Sequence, residues 1–293
     1  MKHYKRPNIL LYGVLGGLLK LYAFFKGQRI LQKVNISKPS IVLSNHTSFY
    51  DFIYTTTAVY PNRINYLAAD KMFYDPGLGF FLKLARAIPK CLFQQDLVSI
   101  RATKKILEQK GIIGIFPEGQ ISSIGRTNEP PYAIAKLIKR MNVDVYIVKH
   151  ENAYFVNPPW TKRSFRGKLF TTMHQLFSKE ELEEASEQAI FDAIVQGLYY
   201  DAGSFNKEYR FIYKPNDIDN LESLIYRCPE CGDENMTVNK RTLVCKQCSH
   251  SLEYNKYGLL NETSIGELYD AQAQIIKDLV VINLILDSNL RYY

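Results

Sequence analysis

The chain has 293 residues, 46% of them hydrophobic and 23% charged, with a mean hydropathy of −0.19. These values exclude a disordered or collagen-like chain and a polytopic membrane bundle; the length suits one large α/β domain with an appendage. The net charge of +8 is local. Lys2, Lys5, Arg6, Lys20, Lys26, Arg29, Lys33 and Lys38 precede the first acid, Asp51, and the remaining 29 cations are matched by 29 acids. An anionic surface, lipid or nucleic acid, is the expected partner of that N-terminal arm.

Residues 8–25 (NILLYGVLGGLLKLYAFF) are apolar except for Asn8 and Lys20 and carry cations on both flanks. A membrane span needs about 20 such residues, so the segment sits at the lower edge. No small-residue cleavage site follows it, which argues against a removed signal peptide. Lys20 interrupts the run, and the expectation is a helix lying in, or half inserted into, a membrane interface, with flanking lysines and aromatics as its anchors.

From 40 to 150 short apolar runs alternate with helical spacings. Ser40–Ser44, Ile64–Ala69, Ile112–Phe116 and Val143–Val148 read as strands. A helix is expected to close at Thr56–Tyr60, and others at Leu78–Leu84, Ser99–Gln109 and Ala133–Met141. The alternation predicts an α/β fold with a mainly parallel sheet flanked by helices. Residues 178–200 read as one amphipathic helix opened by a Ser178/Glu181 capping box. The tail 264–293 carries Ile275, Ile276, Leu279, Val280, Ile282 and Leu284 and reads as helical. The resulting division is a membrane-association segment at 1–37, an α/β domain at 38–213, a linker at 214–225, a cysteine module at 226–258 and a helical tail at 259–293.

Two short motifs carry chemistry. Asn45-His46-Thr47-Ser48-Phe49-Tyr50-Asp51 follows the first strand of the α/β domain, and Phe116-Pro117-Glu118-Gly119 follows the Ile112–Phe116 strand. In a parallel α/β sheet the carboxyl ends of strands open onto the ligand crevice. A His there suits a general base, and an Asp turned back onto it sets its tautomer and stabilises the imidazolium. Residues five apart do not share a helix face, so the pair needs a turn between strand and helix. The same Asn, Thr, Ser and Asp also suit a plain helix cap. Glu118, held between Pro117 and Gly119, suits a hydrogen bond to a polyol hydroxyl.

The two motifs together, in this order and spacing, resemble those of the glycerophospholipid acyltransferase family, of the 1-acylglycerol-3-phosphate (lysophosphatidate) acyltransferase type, over roughly residues 38–150. The resemblance implies acyl transfer from acyl-CoA or acyl-carrier protein to a glycerol hydroxyl in phospholipid synthesis. His46 would be the base and Asp51 its orienting partner, with Glu118 and Gly119 binding the acceptor. No acyl-enzyme is implied, and no G-x-S-x-G elbow is present. The chain departs from the family pattern at Ile121, where an Arg is usual; Arg126 is the nearest stand-in. For the acceptor phosphate, Lys90 is the first choice and Arg86 the second, in the stretch Arg86–Phe93. The last apolar strand lacks the family's proline. Cys91 reads as a small buried residue.

Cys228, Cys231, Cys245 and Cys248 form two C-x2-C knuckles thirteen residues apart. That spacing predicts a closed four-thiolate Zn2+ site of a zinc ribbon, structural rather than catalytic, with an iron–sulfur centre as the minor alternative. The hairpin would turn near Asn239-Lys240. Clustered cysteines suit a reducing compartment, so the protein is expected at the cytoplasmic face of a membrane. Two other functions compete: a nucleic-acid-binding zinc-ribbon protein, and a non-catalytic lysolipid-binding relative. The basic surplus is fused to the apolar segment rather than to the ribbon, which favours anionic membrane lipid over nucleic acid; the retained His46, Asp51 and Glu118 favour catalysis.

Overall fold

The computed structural model describes residues 4–91, 96–215 and 217–290, with the backbone alone over 279–290. Lys2, Leu92 and Phe93, and the side chains of Leu279, Val280, Ile282 and Leu284, lie outside the described residues. The chain divides into two compact units: residues 1–122, 127–153 and 168–200, and residues 123–126, 154–167 and 201–293.

The first unit opens with α1 (Ile9–Phe25), whose N-terminus is capped by the Asn8 carboxamide accepting from the Leu10 and Leu11 N–H groups. Its elements continue as β1 (Gln28–Ile30), β2 (Ser40–Ser44), α2 (Asp51–Val59), β3 (Ile64–Ala69), a 3-10 turn η1 (Asp70–Tyr74), α3 (Pro76–Leu84), β4 (Ile88–Lys90), α4 (Leu97–Glu108), β5 (Ile112–Ile115), α5 (Ala133–Met141) and β6 (Asp144–Glu151). One helical turn, α6 (Ala153–Val156), begins at the unit's last residue there and lies otherwise in the second unit; β7 (Leu169–Phe177), α7 (Lys179–Glu184) and α8 (Glu187–Leu198) complete the first unit.

The seven strands lie in the order β1-β7-β6-β2-β5-β3-β4. β6, β2, β5, β3 and β4 run parallel, while β7 is antiparallel to β6 and carries β1 alongside it. β2 is central and wholly buried, and its alternation feeds two cores. Ile41 and Leu43 pack with Ile106 of α4, Ile138 of α5 and Ile194 of α8. Val42 turns the other way, to Ala58 and Val59 of α2. Both faces of β2 are thus covered, as a parallel sheet requires.

The mainly parallel α/β expectation holds. Three strands escaped the sequence pattern: β1 and β4 are three residues each, and β7 is antiparallel. The 178–200 segment is two helices: the Ser178/Glu181 capping box opens α7, but Ser186 caps a separate α8 by accepting from the Ala189 N–H. α1 packs against α2 by one side only. Gly16 and Ala23 are buried, and a Cβ on Gly16 would lie 2.6 Å from the Tyr60 ring, whereas Leu10, Val14, Leu18 and Phe25 are exposed. Among the described residues, no helix is long and apolar enough to cross a membrane.

The second unit contains α9 (Ala202–Tyr209), a 3-10 turn η2 (Leu221–Ser223), a three-stranded antiparallel sheet of β8 (Met236–Asn239), β9 (Thr242–Cys245) and β10 (Ser251–Glu253), and α10 (Ile265–Leu290). The linear division of the sequence needs correction here. Residues 201–213 belong to this unit, and 214–225 are not a linker: Ile218, Leu221 and Ile225 are buried, and the Ile218 N–H donates to the Lys240 carbonyl. The polar KPNDIDN composition hid a segment pinned by its few apolar residues.

Candidate functional site

β2 ends at Ser44 and α2 starts at Asp51, so residues 45–50 form a tight connection at the carboxyl edge of the sheet. Asp51 organises it. Its Oδ2 accepts from the Thr47 N–H at 2.7 Å and the Ser48 N–H at 2.8 Å, and lies 3.1 Å from His46 Nδ1. The turn that the five-residue spacing demanded is therefore built around the carboxylate itself. Asp51 is fully buried, while 18% of the His46 side chain is exposed. With Nδ1 turned to Asp51, the Nε2 edge is the one free to meet a substrate.

The His46 ring stacks on Phe116 with centroids 4.4 Å apart, and Phe116 stacks in turn on Tyr66. His46 main-chain groups are tied to the loop after β5 at both ends: its N–H donates to Glu118 Oε1 at 2.7 Å, and its carbonyl accepts from the Ser122 N–H at 2.8 Å. Glu118 Oε2 accepts from the Asn128 N–H at 2.8 Å. Both oxygens of this buried carboxyl thus already hold main-chain donors. These contacts hold the His46 loop. Gly119 is exposed at φ +72°, with no atom within 4 Å of an added Cβ. That leaves space for a ligand beside main chain only glycine adopts readily.

The remaining sequence candidates separate. Lys90 ends β4 at the same carboxyl edge, half-buried. Arg86 precedes β4 at φ +53°, and its carbonyl accepts from Asn65 near the start of β3, so it enters from the opposite edge and is not brought to the site by its strand. Arg126 belongs to the second unit and is already neutralised there, its Nε 2.8 Å from Asp201 Oδ2 and its Nη1 2.9 Å from Asp270 Oδ2. Its reading as a free anion ligand is corrected on that ground. Cys91 is half-buried, with Sγ 3.5 Å from Asp70 Oδ2, rather than fully buried.

Two supporting residues escaped sequence reasoning. The Asn45 carboxamide grips residue 150 of β6 at two points, donating to its carbonyl and accepting from its N–H, each at 2.8 Å. The His150 ring is wholly buried between Thr55 Oγ1 at 2.8 Å and Thr171 Oγ1 at 3.0 Å. Burial pushes its pKa down to about 4, so it is neutral near pH 7. The only sequence signal was a polar Asn at the end of an apolar strand and a His at the end of another.

In the second unit the four cysteine Sγ atoms lie within 4.8 Å of one another. Cys228 and Cys248 Sγ are 3.7 Å apart, Cys231 and Cys245 Sγ 3.6 Å. A tetrahedron with Zn–S bonds of about 2.3 Å has S···S edges of about 3.8 Å, so the donor set fits a four-thiolate ion. The hairpin turns over Lys240-Arg241, because Asn239 pairs with Thr242.

Comparison with known proteins agrees with this geometry. Residues 24–150 match the acyltransferase family model. A 99-residue stretch is 29% identical to the 1-acyl-sn-glycerol-3-phosphate acyltransferase of Bacillus subtilis (strain 168), covering 33% of this chain and 50% of that protein. The chain thus spans about half the length of this relative. The crystal structure of the 1-acyl-sn-glycerophosphate (LPA) acyltransferase PlsC of Thermotoga maritima superposes with a TM-score of 0.54 at 17% identity, over 64% of this chain and 75% of that one. That likeness is one of fold.

Burial is the largest influence on Glu118 and raises its pKa from 4.5 to about 8; the two main-chain N–H donors oppose the rise. The native carboxyl therefore keeps a proton that the unfolded chain releases, and its contribution to stability is lost as pH rises from 4.5 to about 8. Glu118→Gln cannot titrate. Its melting temperature, followed by circular dichroism, should change less over that range than that of the wild type; identical pH profiles would contradict the assignment.

Proposed function

We propose that the chain transfers a fatty acyl group from acyl-CoA or acyl-carrier protein to the free glycerol hydroxyl of lysophosphatidate. The observation that carries this reading is the His46–Asp51 pair, 3.1 Å apart, on a connection held at the carboxyl edge of the sheet. His46 Nε2 takes the hydroxyl proton as the oxygen attacks the thioester carbonyl. The C–S bond then breaks, and the imidazolium returns the proton to the departing sulfur. Asp51 keeps Nδ1 protonated throughout, so the base is always presented on the substrate side. No protein nucleophile is needed, and the free hydroxyl of the acceptor fills that role.

Lys90 is the group suited to the acceptor phosphate. It ends β4, two strands from β5 and three from β2, within about 15 Å of the His46 connection. A lysine there acts as a point charge, tolerant of headgroup orientation. Membrane association is read from α1. Its exposed stripe of Leu10, Val14, Leu18, Leu21, Phe24 and Phe25 runs toward the site, since Tyr22 lies against Tyr50, next to Asp51. Lys20, Lys26 and Arg29 would meet anionic headgroups, each adding about 1 kcal/mol near such a surface. The Cys228–Cys231–Cys245–Cys248 set would hold a structural Zn2+, closed by four thiolates and therefore without an open position for chemistry.

With a thioester donor and lysophosphatidate, His46→Ala should lower kcat by about 10^2–10^4-fold while the protein stays folded. Lys90→Ala should raise the acceptor KM far more than the donor KM. Unchanged turnover in the His46 variant would defeat the proposal.

Protein purified without chelator should contain one Zn2+ per chain by metal analysis, and Cys228→Ser should lose it. A metal-free wild type would refute the four-thiolate reading.

A further inference from the structure

Among the described residues, α3 packs mainly against η1. Its sequence, PGLGFFLKL, is apolar on nearly every side, and a helix of that kind needs an apolar surrounding. Its one buried residue is Gly79, where an added Cβ would lie 2.4 Å from the Phe73 carbonyl oxygen. Phe80 and Phe81 are 62% and 61% exposed, Tyr74 just before the helix is 84% exposed, and Leu97 and Val98 in the first turn of α4 are also exposed. Phe80 and Phe81 meet edge to face with centroids 5.8 Å apart, and adjoining large apolar side chains left in the open mark a contact surface.

Their place in the fold gives the patch a direction. η1 begins where β3 ends, and α4 begins beyond the end of β4, so both stand at the carboxyl edge that carries His46 and Glu118. β3 is two strands from β2, or about 10 Å. On the β2 side, Phe49 is exposed and Tyr50 meets α1. Exposed apolar groups thus flank the His46 connection on two sides.

Charge indicates what covers them. Between residues 70 and 110 eight Lys and Arg stand against four Asp and Glu. Three of those acids are engaged by main-chain donors: Asp70 by the Lys71 N–H, Asp75 by the Leu78 N–H, and Asp96 by the Cys91, Val98 and Ser99 N–H groups. Lys71, Lys83, Arg86 and Arg101 are exposed. Exposed apolar side chains in a segment with surplus cations are complementary to an anionic bilayer, which offers negative headgroups above hydrocarbon.

We propose that α3 and the first turn of α4 form a second lipid-contacting surface, laid on an anionic phospholipid bilayer so that the carboxyl edge of the sheet faces the headgroups. It adds to the reading of α1 as a membrane contact but is tested separately from it. The full chain has one native tryptophan, Trp160, which sets the baseline. Phe81→Trp and Phe25→Trp are each mixed with vesicles of phosphatidylcholine and phosphatidylglycerol containing bromine-labelled acyl chains. The proposal expects fluorescence quenching beyond the wild type in both variants. Quenching in Phe25→Trp alone would overturn the second surface and leave α1 standing; quenching in Phe81→Trp alone would support the second surface and remove α1. Quenching in neither would overturn both.

The double variant Phe80→Ser, Phe81→Ser should weaken vesicle binding by about tenfold or more, with an unchanged melting temperature. Equal binding by variant and wild type would overturn the proposal. So would a lipid-free dimer that the same substitutions convert to monomer, since the patch would then be a subunit interface.

Discussion

Two main-chain N–H groups, from His46 and Asn128, converge on the buried carboxyl of Glu118, and the geometry of the candidate site depends on that convergence. The connection after β2 is six residues long and contains the proposed base. Left alone, such a loop would sample many conformations, each ordered residue costing about 1–2 kcal/mol of entropy. Here it is held at four points. Asp51 gathers the Thr47 and Ser48 N–H groups, Glu118 takes the His46 N–H, Ser122 donates to the His46 carbonyl, and Asn45 grips the end of β6. The ring itself rests on Phe116. The result is a preorganised base whose position is set by main chain rather than by side-chain packing alone.

The sheet makes this arrangement possible. β2 and β5 are parallel neighbours, with Ser40 opposite Ile112 and Leu43 opposite Ile115. Their carboxyl ends therefore emerge side by side, and motifs 72 residues apart in sequence meet within hydrogen-bond distance. Lys90 shares that edge because β4 is parallel too. Arg86 does not, since it enters the same strand from the other end.

The parts legible in the sequence were those with a strong local period or a motif of fixed spacing. β2, β3 and α5 fall where the apolar pattern places them, and the C-x2-C knuckles converge as their spacing requires. β1 and β4 were invisible because three residues carry no period. The break between α7 and α8 was hidden because the apolar spacing runs on while Ser186 caps a new helix. The pairing of His46 with Asp51 was legible, but the main-chain contacts of Glu118 were not. A carboxylate between Pro and Gly looks the same whether it faces a substrate or the protein's own N–H groups, and only the fold distinguishes them. Asn45 and His150 were equally silent, because their partners lie 105 residues apart.

The central claim is that Glu118 acts by positioning His46 and not by binding the acceptor. Steady-state kinetics of Glu118→Gln with lysophosphatidate and a thioester donor tests it most directly. Gln keeps one accepting oxygen and turns an amide toward the second N–H, so the account predicts a marked fall in kcat with the acceptor KM little changed. An unchanged kcat with a sharply raised acceptor KM would show that the carboxylate binds the acceptor, and would contradict it.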